Sequence, residues 1–382
     1  MKVNAVKIKF HRLFLVLPLM LFGCVLIFNS ISFAQAIPIP RIEFSPEKYI
    51  CYKAGEEITV DGELNESCWA KTVWTGDFVD IEGSIKPVPR FRTRAKMLWD
   101  ENYFYVAAEL YEPDIWGTLK NRDDIIFYDN DFEIFIDPDG NTHGYCEFEM
   151  NALNTVWDLF LIQPYRDVNK AAVHNWDIKG LKTGTAIYGS LNKPGDIDSS
   201  WTVEVAFPWD AFNEITFSSV PPNDKDQWRI NFSRVEWKTE VIDGKYRKQS
   251  NSETNKPYPE DNWVWSPQGV VNMHYPEMWG FVQFSNEISG NKNVSFIENG
   301  EEDAKWFLRH IYYLEREYFE KHGTFTDDLN KLGINKKSIP GYIFPPVIEC
   351  TTSMFEASLH TEDGNEKISI RNDGLVWISQ VK

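Results

Sequence analysis

The sequence predicts an all-β protein, an antiparallel β-sandwich of immunoglobulin-like or jelly-roll-like architecture, followed by a small C-terminal α+β unit. Two observations carry that expectation. Beyond residue 40, short runs of β-branched and aromatic residues recur between clusters of Gly, Pro, Asn and Asp. Only near the C-terminal end, over 301–322, does a long run take up the helical period instead.

The chain opens with Lys2, Lys7, Lys9 and Arg12, then an apolar run from Leu13 to Phe28, then Ala34-Gln35-Ala36. A cationic start, a short apolar stretch and an A-x-A pattern read as a secretory signal peptide over 1–36. Pro18 and a run shorter than the roughly 20 residues that span a bilayer argue against a permanent anchor. Leu21-Phe22-Gly23-Cys24 offers a lipoprotein alternative with Cys24 as the acylated residue, but Phe22 is bulky for that motif and the apolar run continues past Cys24. The expected location is therefore extracellular, periplasmic or cell-surface, with no membrane span after cleavage.

The β-region is expected over 37–285. Its strand candidates are 94–99, 103–110, 132–137, 145–151, 156–162, 184–191, 201–207, 227–237 and 280–284. Asp100-Glu101-Asn102 and Asp137-Pro138-Asp139-Gly140 supply turn chemistry between neighbours. Strands at this spacing suit a sandwich or barrel of about 200 to 250 residues in one domain. A polar, Gly-bearing stretch marks a linker over 286–300. In 301–322 Trp306, Phe307, His310, Ile311, Tyr313, Leu314 and Tyr318 recur at three-to-four spacing and Gly323 ends the run. With later strands such as 367–371 and 375–379, it forms the unit 301–382.

Charge narrows the function classes. Without residues 1–36 the chain holds 35 Lys and Arg against 57 Asp and Glu, a net charge of −22. Such a surface repels the phosphate backbone, so nucleic acid is not an expected partner. Cys51, Cys68, Cys146 and Cys350 are too few for a disulfide framework and lack zinc-type spacing. No Gly-rich phosphate loop, G-x-S-x-G elbow or His-Glu-x-x-His helix occurs, which leaves nucleotide chemistry, serine hydrolysis and zinc proteolysis without support.

Strand alternation points to one polar face. In 132–137 it sets Phe132, Ile134 and Ile136 against Glu133, Phe135 and Asp137, and in 145–151 Cys146, Phe148 and Met150 oppose Glu147, Glu149 and Asn151. A turn centred near Asn141 pairs Glu133 with Glu149 across the ladder. Like charges so placed destabilise a sheet unless a cation, an Arg or a ligand's hydroxyl donors come between them, or water screens them. The turn itself, Asp137, Asp139 and Asn141, offers oxygens at alternate positions like the start of a calcium loop, without the distal Glu of an EF-hand. A plain Asp-rich turn is the alternative.

Five motifs then occur in order: Val60-Asp61-Gly62-Glu63-Leu64-Asn65-Glu66 with Trp69; 97–106; Asn130 to Asp137; Trp201 to Trp209; and Trp279 to Phe284. In that order, over about 42–285, the chain resembles the family 9 carbohydrate-binding modules. The resemblance implies a β-sandwich that holds a poly- or oligosaccharide, frequently attached to a glycoside hydrolase and often with bound structural calcium, no other cofactor being required. It also implies that the residue at the Glu133 position contacts sugar and that Glu149 occupies another contact position, one often basic in sugar-binding members. The family's stacking tryptophans fall near Phe127 and Met273, neither of which is Trp here.

A pyranose stacks its C–H faces on aromatic rings and offers hydroxyls at its edge. The loop candidates for that platform are Trp116, Phe127, Tyr128, Met273 and His274, beside Glu133, Glu149 and Asn151. The expected function is thus non-catalytic sugar binding in carbohydrate catabolism. One rival is a glycoside hydrolase, with Glu133 and Glu149 near the roughly 5 to 5.5 Å carboxylate separation of retaining enzymes. The other is a cell-surface adhesion or assembly component, for which the sequence names no protein partner.

Overall fold

The computed structural model of the protein describes residues 37–381 apart from 169 and 336. The segment expected to be a signal peptide, 1–36, with Cys24, lies outside the described residues. In chain order the elements are β1 (Lys48–Lys53), α1 (Ser67–Lys71), β2 (Val79–Asp80), β3 (Thr93–Trp99), β4 (Tyr103–Tyr111), β5 (Asp131–Asp137), β6 (Tyr145–Asn151), β7 (Val156–Leu161), β8 (Ala172–Val173), β9 (Lys182–Tyr188), β10 (Ser200–Pro208), α2 (Trp209–Phe212), β11 (Gln227–Glu236), β12 (Thr239–Ile242), β13 (Lys245–Lys248), β14 (Asp261–Val264) and β15 (Gly280–Ile288), then α3 (Glu301–His322), β16 (Val347–Cys350), β17 (Phe355–His360), β18 (Glu366–Arg371) and β19 (Val376–Gln380).

A single hydrogen-bonded path, β8-β7-β6-β5-β11-β15-β1-β3-β4-β10-β9, forms the sandwich, with β14 and β2 joined beside β11. The two halves close on one core because both offer apolar residues at alternate positions: Phe132, Ile134, Ile136, Cys146, Phe148, Ile230 and Phe232 from one side, Met97, Phe104, Val106, Val203, Val205 and Phe207 from the other. Neighbours are mostly antiparallel, as expected. The exception is β1, parallel to both β15 and β3, so it joins the two halves at the crease. All-β architecture with a small C-terminal unit is what the sequence predicts.

The Asp61-Gly62 motif has a mechanical explanation. That loop crosses β9 so closely that a Cβ on Gly184 would lie 2.5 Å from the Asp61 carbonyl carbon, and Gly62 itself has φ +91°. Glu204 clamps it: the Gly62 and Asp61 amides donate to its Oε2 at 2.8 and 3.0 Å, and the Trp69 indole donates to Oε1 at 2.8 Å. Glycine at 62 and 184 is needed for this approach.

The strand ending the sandwich runs to Ile288, so the boundary placed at 285 falls inside it. The segment beyond is tied to the sheet, with Gln227 Nε2 donating to the Ile297 carbonyl at 2.7 Å and the Ile297 amide to Gln283 at 2.8 Å. α3 then packs on the antiparallel sheet β16-β17-β18-β19, ending as expected at Gly323 in the left-handed conformation. Its core, including Leu308, Ile311, Tyr312, Leu359, Ile368 and Ile370, continues into Ile37, Val270, Tyr275 and Met278 of the sandwich.

Charge seals that junction. Arg166 pairs with Glu277 at 2.8 Å, both side chains being nearly inaccessible, while the Tyr313 hydroxyl also donates to Glu277. Arg316 meets Asp167 at 2.8 Å and Arg229 meets Glu302 at 3.1 Å. Burial alone would push the Glu277 carboxyl up; Arg166 and Arg309 hold it below its usual range.

Removing one partner of a buried pair strands the other, so Glu277→Ala is expected to cost about 3–5 kcal/mol. Glu298→Ala, which removes the exposed partner of Lys48, is expected to cost about 0–1 kcal/mol. Urea denaturation of both variants checks the contrast, and equal effects would contradict it.

Glu315 gives a pH signature. Its Oε2 accepts the Thr326 amide at 3.2 Å, Oε1 is buried without a partner, and burial pushes the carboxyl up from 4.5 to about 7. Between those two values the folded chain holds a proton that the unfolded chain releases, so this group's contribution to stability falls as pH rises from about 4.5 to 7. Glu315→Gln keeps an acceptor for Thr326 and is expected to be more stable than wild type at pH 8 but not at pH 4. Melting curves across that range test the sign.

Candidate functional site

The polar face expected from alternation exists and is broader than the sequence suggested. Cross-strand register places Glu133 opposite Glu149, Phe135 opposite Glu147 and Asp131 opposite Asn151. On the other flank of β5, Ser233 lies opposite Glu133, and beyond β6 Trp157 lies opposite Glu149. Directly paired residues share a face, so these side chains gather on one side of the sheet.

That face is covered rather than bathed in water. Phe135, Tyr145, Leu159, Leu161, Met273 and Trp279 form an apolar cluster at one end of it. Trp116, Val235, Trp237 and Tyr246 form another at the opposite end, with Phe127 against them. The carboxylates occupy the trough between. Glu133 and Glu147 keep 5% and 6% of their surface, Glu149 1% and Asp131 none.

Burial sets their electrostatics. It pushes the Glu133 carboxyl up to about 7 and, with the charge of Glu133 added, the Glu147 carboxyl up to about 8. Glu149 and Asp131 are raised well above the ordinary range, first by burial and then by the neighbouring carboxylates. Glu149 Oε2 accepts the Phe127 amide at 3.0 Å.

The expected site residues divide into two groups at the ends of this row. Phe127 and Tyr128 stand by Glu149, their rings 4.8 Å apart, and Tyr128 is half exposed. Trp116 is buried beneath them, its indole N–H without a partner. At the other end His274 accepts or donates to the Tyr145 hydroxyl at 2.8 Å and lies 4.0 Å from Glu147; burial first, then Arg166, pushes its imidazole down to about 3, keeping it neutral. Met273 is buried, its carbonyl accepting the Trp279 indole. Asn151 faces inward: its Nδ2 donates to the Leu119 carbonyl and Asp129, and its Oδ1 accepts the Leu153 and Thr155 amides.

Sequence reasoning left several neighbours out of the candidate set. Glu147 was in phase with Glu149 and legible from the same alternation. Asp131 lay one residue outside the expected strand. Trp157 and Tyr165, half-buried beside the trough, come from β7 and the loop after it. Lys248, whose ammonium sits 3.3 Å from the centre of the Trp237 ring, arrives on the β12-β13 hairpin, and nothing in local sequence announces that contact.

The Asp137–Asn141 turn is occupied by its own amides. Asp137 accepts the Gly140 and Thr142 amides, Asp139 accepts that of Asn141, and Asn141 accepts that of His143. Its three oxygen-bearing residues do not converge with other acids. Among the described residues, acidic oxygens gather within 4.8 Å in two other places, Asp123 with Asp158 and Asp177, and Asp131 with Glu133 and Glu149. In the first, Arg122 already supplies a cation, pairing with Asp158 and, at 2.9 Å, with Asp177.

The family model described as "Carbohydrate family 9 binding domain-like" matches residues 60–256. Among solved structures, a protein of Bacteroides uniformis is similar at 16% identity, with a TM-score of 0.47, over 63% of this chain and 100% of that one. A family 9 carbohydrate-binding module of Caldicellulosiruptor kristjanssonii in complex with cellotriose is similar at 16% identity and a TM-score of 0.40, covering 66% and 100% of the two chains. A module of that family and organism in complex with glucose gives 14% identity and 0.41, covering 65% and 100%. Comparison with curated proteins gave no match.

The geometry makes Asn151 a brace rather than a contact. Asn151→Ala leaves buried amides and Asp129 without their partner, and is expected to cost about 1–3 kcal/mol in denaturant unfolding. Unchanged stability would return Asn151 to the ligand-facing set.

Proposed function

The chain belongs to the carbohydrate family 9 binding domain-like proteins, and from that premise we propose that it is an exported protein that binds poly- or oligosaccharide without cleaving it, in the service of carbohydrate catabolism. One observation carries the placement of the site: Glu133 and Glu147, 5% and 6% accessible, line a narrow trough flanked by aromatic rings, Tyr128 half exposed beside Glu149 and Trp157 and Tyr165 half-buried on the β7 side. Carboxylates bind hydroxyl donors directionally, and flat rings take the C–H faces of a pyranose. Export rests on the cationic and apolar start of the sequence.

Hydrolysis is poorly served by the same geometry. A glycosidase needs its two carboxyl groups to flank a bond from either side of a cleft. Glu133 and Glu149 are instead ladder partners on one sheet, and Glu149 is nearly inaccessible with one oxygen held by the Phe127 amide. That arrangement supports binding without turnover.

The test is a glycan-array screen of 37–382, followed by calorimetric titration of the best ligand and a reducing-sugar assay. A charged hydrogen bond to a hydroxyl contributes about 1.5–3 kcal/mol, so Glu133→Ala is expected to weaken affinity roughly 10- to 150-fold. Trp157→Ala should also weaken it. Affinity unchanged in both variants would remove sugar from this face, and turnover abolished by Glu133→Ala would make the protein an enzyme.

A further inference from the structure

We infer that Asp131, Glu133 and Glu149, together with the hydroxyl of Ser233, form a binding site for a hard divalent cation of calcium's class. The site is separate from the Asp137–Asn141 turn. Its occupancy does not depend on the sugar reading.

The first support is geometric. The three carboxylates come from adjacent strands whose register is fixed, and their oxygens lie within 4.8 Å of one another. Calcium holds oxygens at about 2.3–2.6 Å, so two ligands on opposite sides of the ion stand at most about 5 Å apart. The observed spread fits inside that sphere.

The second support is independent of the acids' clustering. Ser233 is fully buried and faces Glu133 across the ladder, its hydroxyl near enough to that carboxylate to lower its pKa, yet Oγ makes no hydrogen bond of good geometry. Asp131 Oδ2 is likewise buried and unpartnered. Buried polar atoms left in this condition cost free energy, and native structures give most of them a partner. Both oxygens belong to the face where the carboxylates converge. An ion there would satisfy them and offset the mutual repulsion at once.

The surrounding charges leave the place open. Across the trough Glu260 adds to the negative field at Glu133. Lys248 is the nearby cation, and it is felt by Asp129, Asp131 and Glu260. It lies over the Trp237 ring, and no ion pair joins it to the three acids among the described residues. Arg234 is taken by Glu112 and Glu236, each at 2.7 Å. His274 stands at the far end, by Glu147.

Donor chemistry selects the class of ion. The four groups offer only carboxylate and hydroxyl oxygen, without thiolate or imidazole, which suits calcium over zinc. Magnesium demands near-ideal octahedral geometry at about 2.0–2.1 Å and keeps its waters, and a strand ladder enforces neither.

The experiment uses chain 37–382 stripped with chelator and titrated with calcium in the absence of sugar, by calorimetry and thermal melting. Saturable binding with one ion at this face is expected. At calcium about 100-fold above its dissociation constant, Tm should rise by roughly 3–5 °C. Equal magnesium should raise it less. Asp131→Asn and Glu149→Gln should each weaken calcium at least about tenfold, the equivalent of one lost charged contact, while melting at or above the wild-type temperature in chelator because one like charge is gone. Should either amide variant fail to fold, Ser233→Ala is expected to weaken calcium several-fold, and terbium luminescence sensitised by nearby tryptophans should be displaced by calcium in wild type. No binding up to about 5 mM calcium, above the weakest extracellular modules at about 1 mM, overturns the site. So does an isotherm unchanged in the variants, which would move the ion elsewhere, for instance to Asp123, Asp158 and Asp177. Glycan binding that survives chelation beside a flat calcium titration would sink this inference and leave the sugar reading standing.

Discussion

β5 is buried on both faces, and most of what is distinctive in this protein follows from that constraint. Its inner residues, Phe132, Ile134 and Ile136, need only apolar neighbours and find them in the sandwich core. Its outer residues are three acids and one ring, Asp131, Glu133, Phe135 and Asp137, and each acid needs a partner because a buried charge without one is costly. Asp137 finds two backbone amides in the turn that follows, and Phe135 joins the apolar cluster with Trp279. Asp131 has one amide, that of Val235 on its Oδ1, and its Oδ2 has none; Glu133 has only the nearby Ser233 hydroxyl. On β5 itself the unsatisfied part of the face therefore falls where Glu149 comes closest.

The C-terminal unit is part of the same economy of burial. Arg229 lies opposite Asp137 in the ladder and reaches Glu302 at the start of α3. Asp167 receives Arg316, and Glu277 joins Arg166 to Tyr313. Each interaction couples a strand or loop of the sandwich to the helix. The unit thus covers the far end of the outer face and caps the loop that carries Met273 and His274. This also explains why the polar stretch after Ile288 runs along the sheet and hydrogen-bonds to it, though its composition reads as a linker.

What was legible in the sequence is what depends on local period. The alternation over 132–137 and 145–151 was enough to pair Glu133 with Glu149, because a hairpin turn fixes register and register fixes faces. The helix over 301–322 announced itself by spacing and by Gly323. β1 did not, since its partners in parallel pairing are far away in sequence and Lys48–Lys53 mixes charge with aromatics. The β12-β13 hairpin, which brings Lys248 and Tyr246 to the site, was equally silent: Val241 and Ile242 are exposed there, and no buried face imposes a pattern. Loop aromatics were found by type but not by role. Trp116, taken as a platform, is buried packing, whereas Trp157, in mid-strand and outside that set, is partly open beside the acids.

Glu149 is where family resemblance and local chemistry pull apart. Resemblance places there a contact that is often basic, and a base opposite Glu133 would neutralise the pair while donating to sugar oxygens. An acid does neither. It sets a second acid against Glu133, accepts the Phe127 amide, and leaves Lys248 as a cation that feels Asp131 and Glu260. Where its raised carboxyls are ionised, such a face disfavours anionic sugars such as uronates by direct repulsion, and it favours neutral hydroxyl donors or a ligand bearing positive charge. On the proposed reading, then, exchanging a base for an acid at one ladder position shifts the face from donating to sugar oxygens toward accepting from sugar hydroxyls.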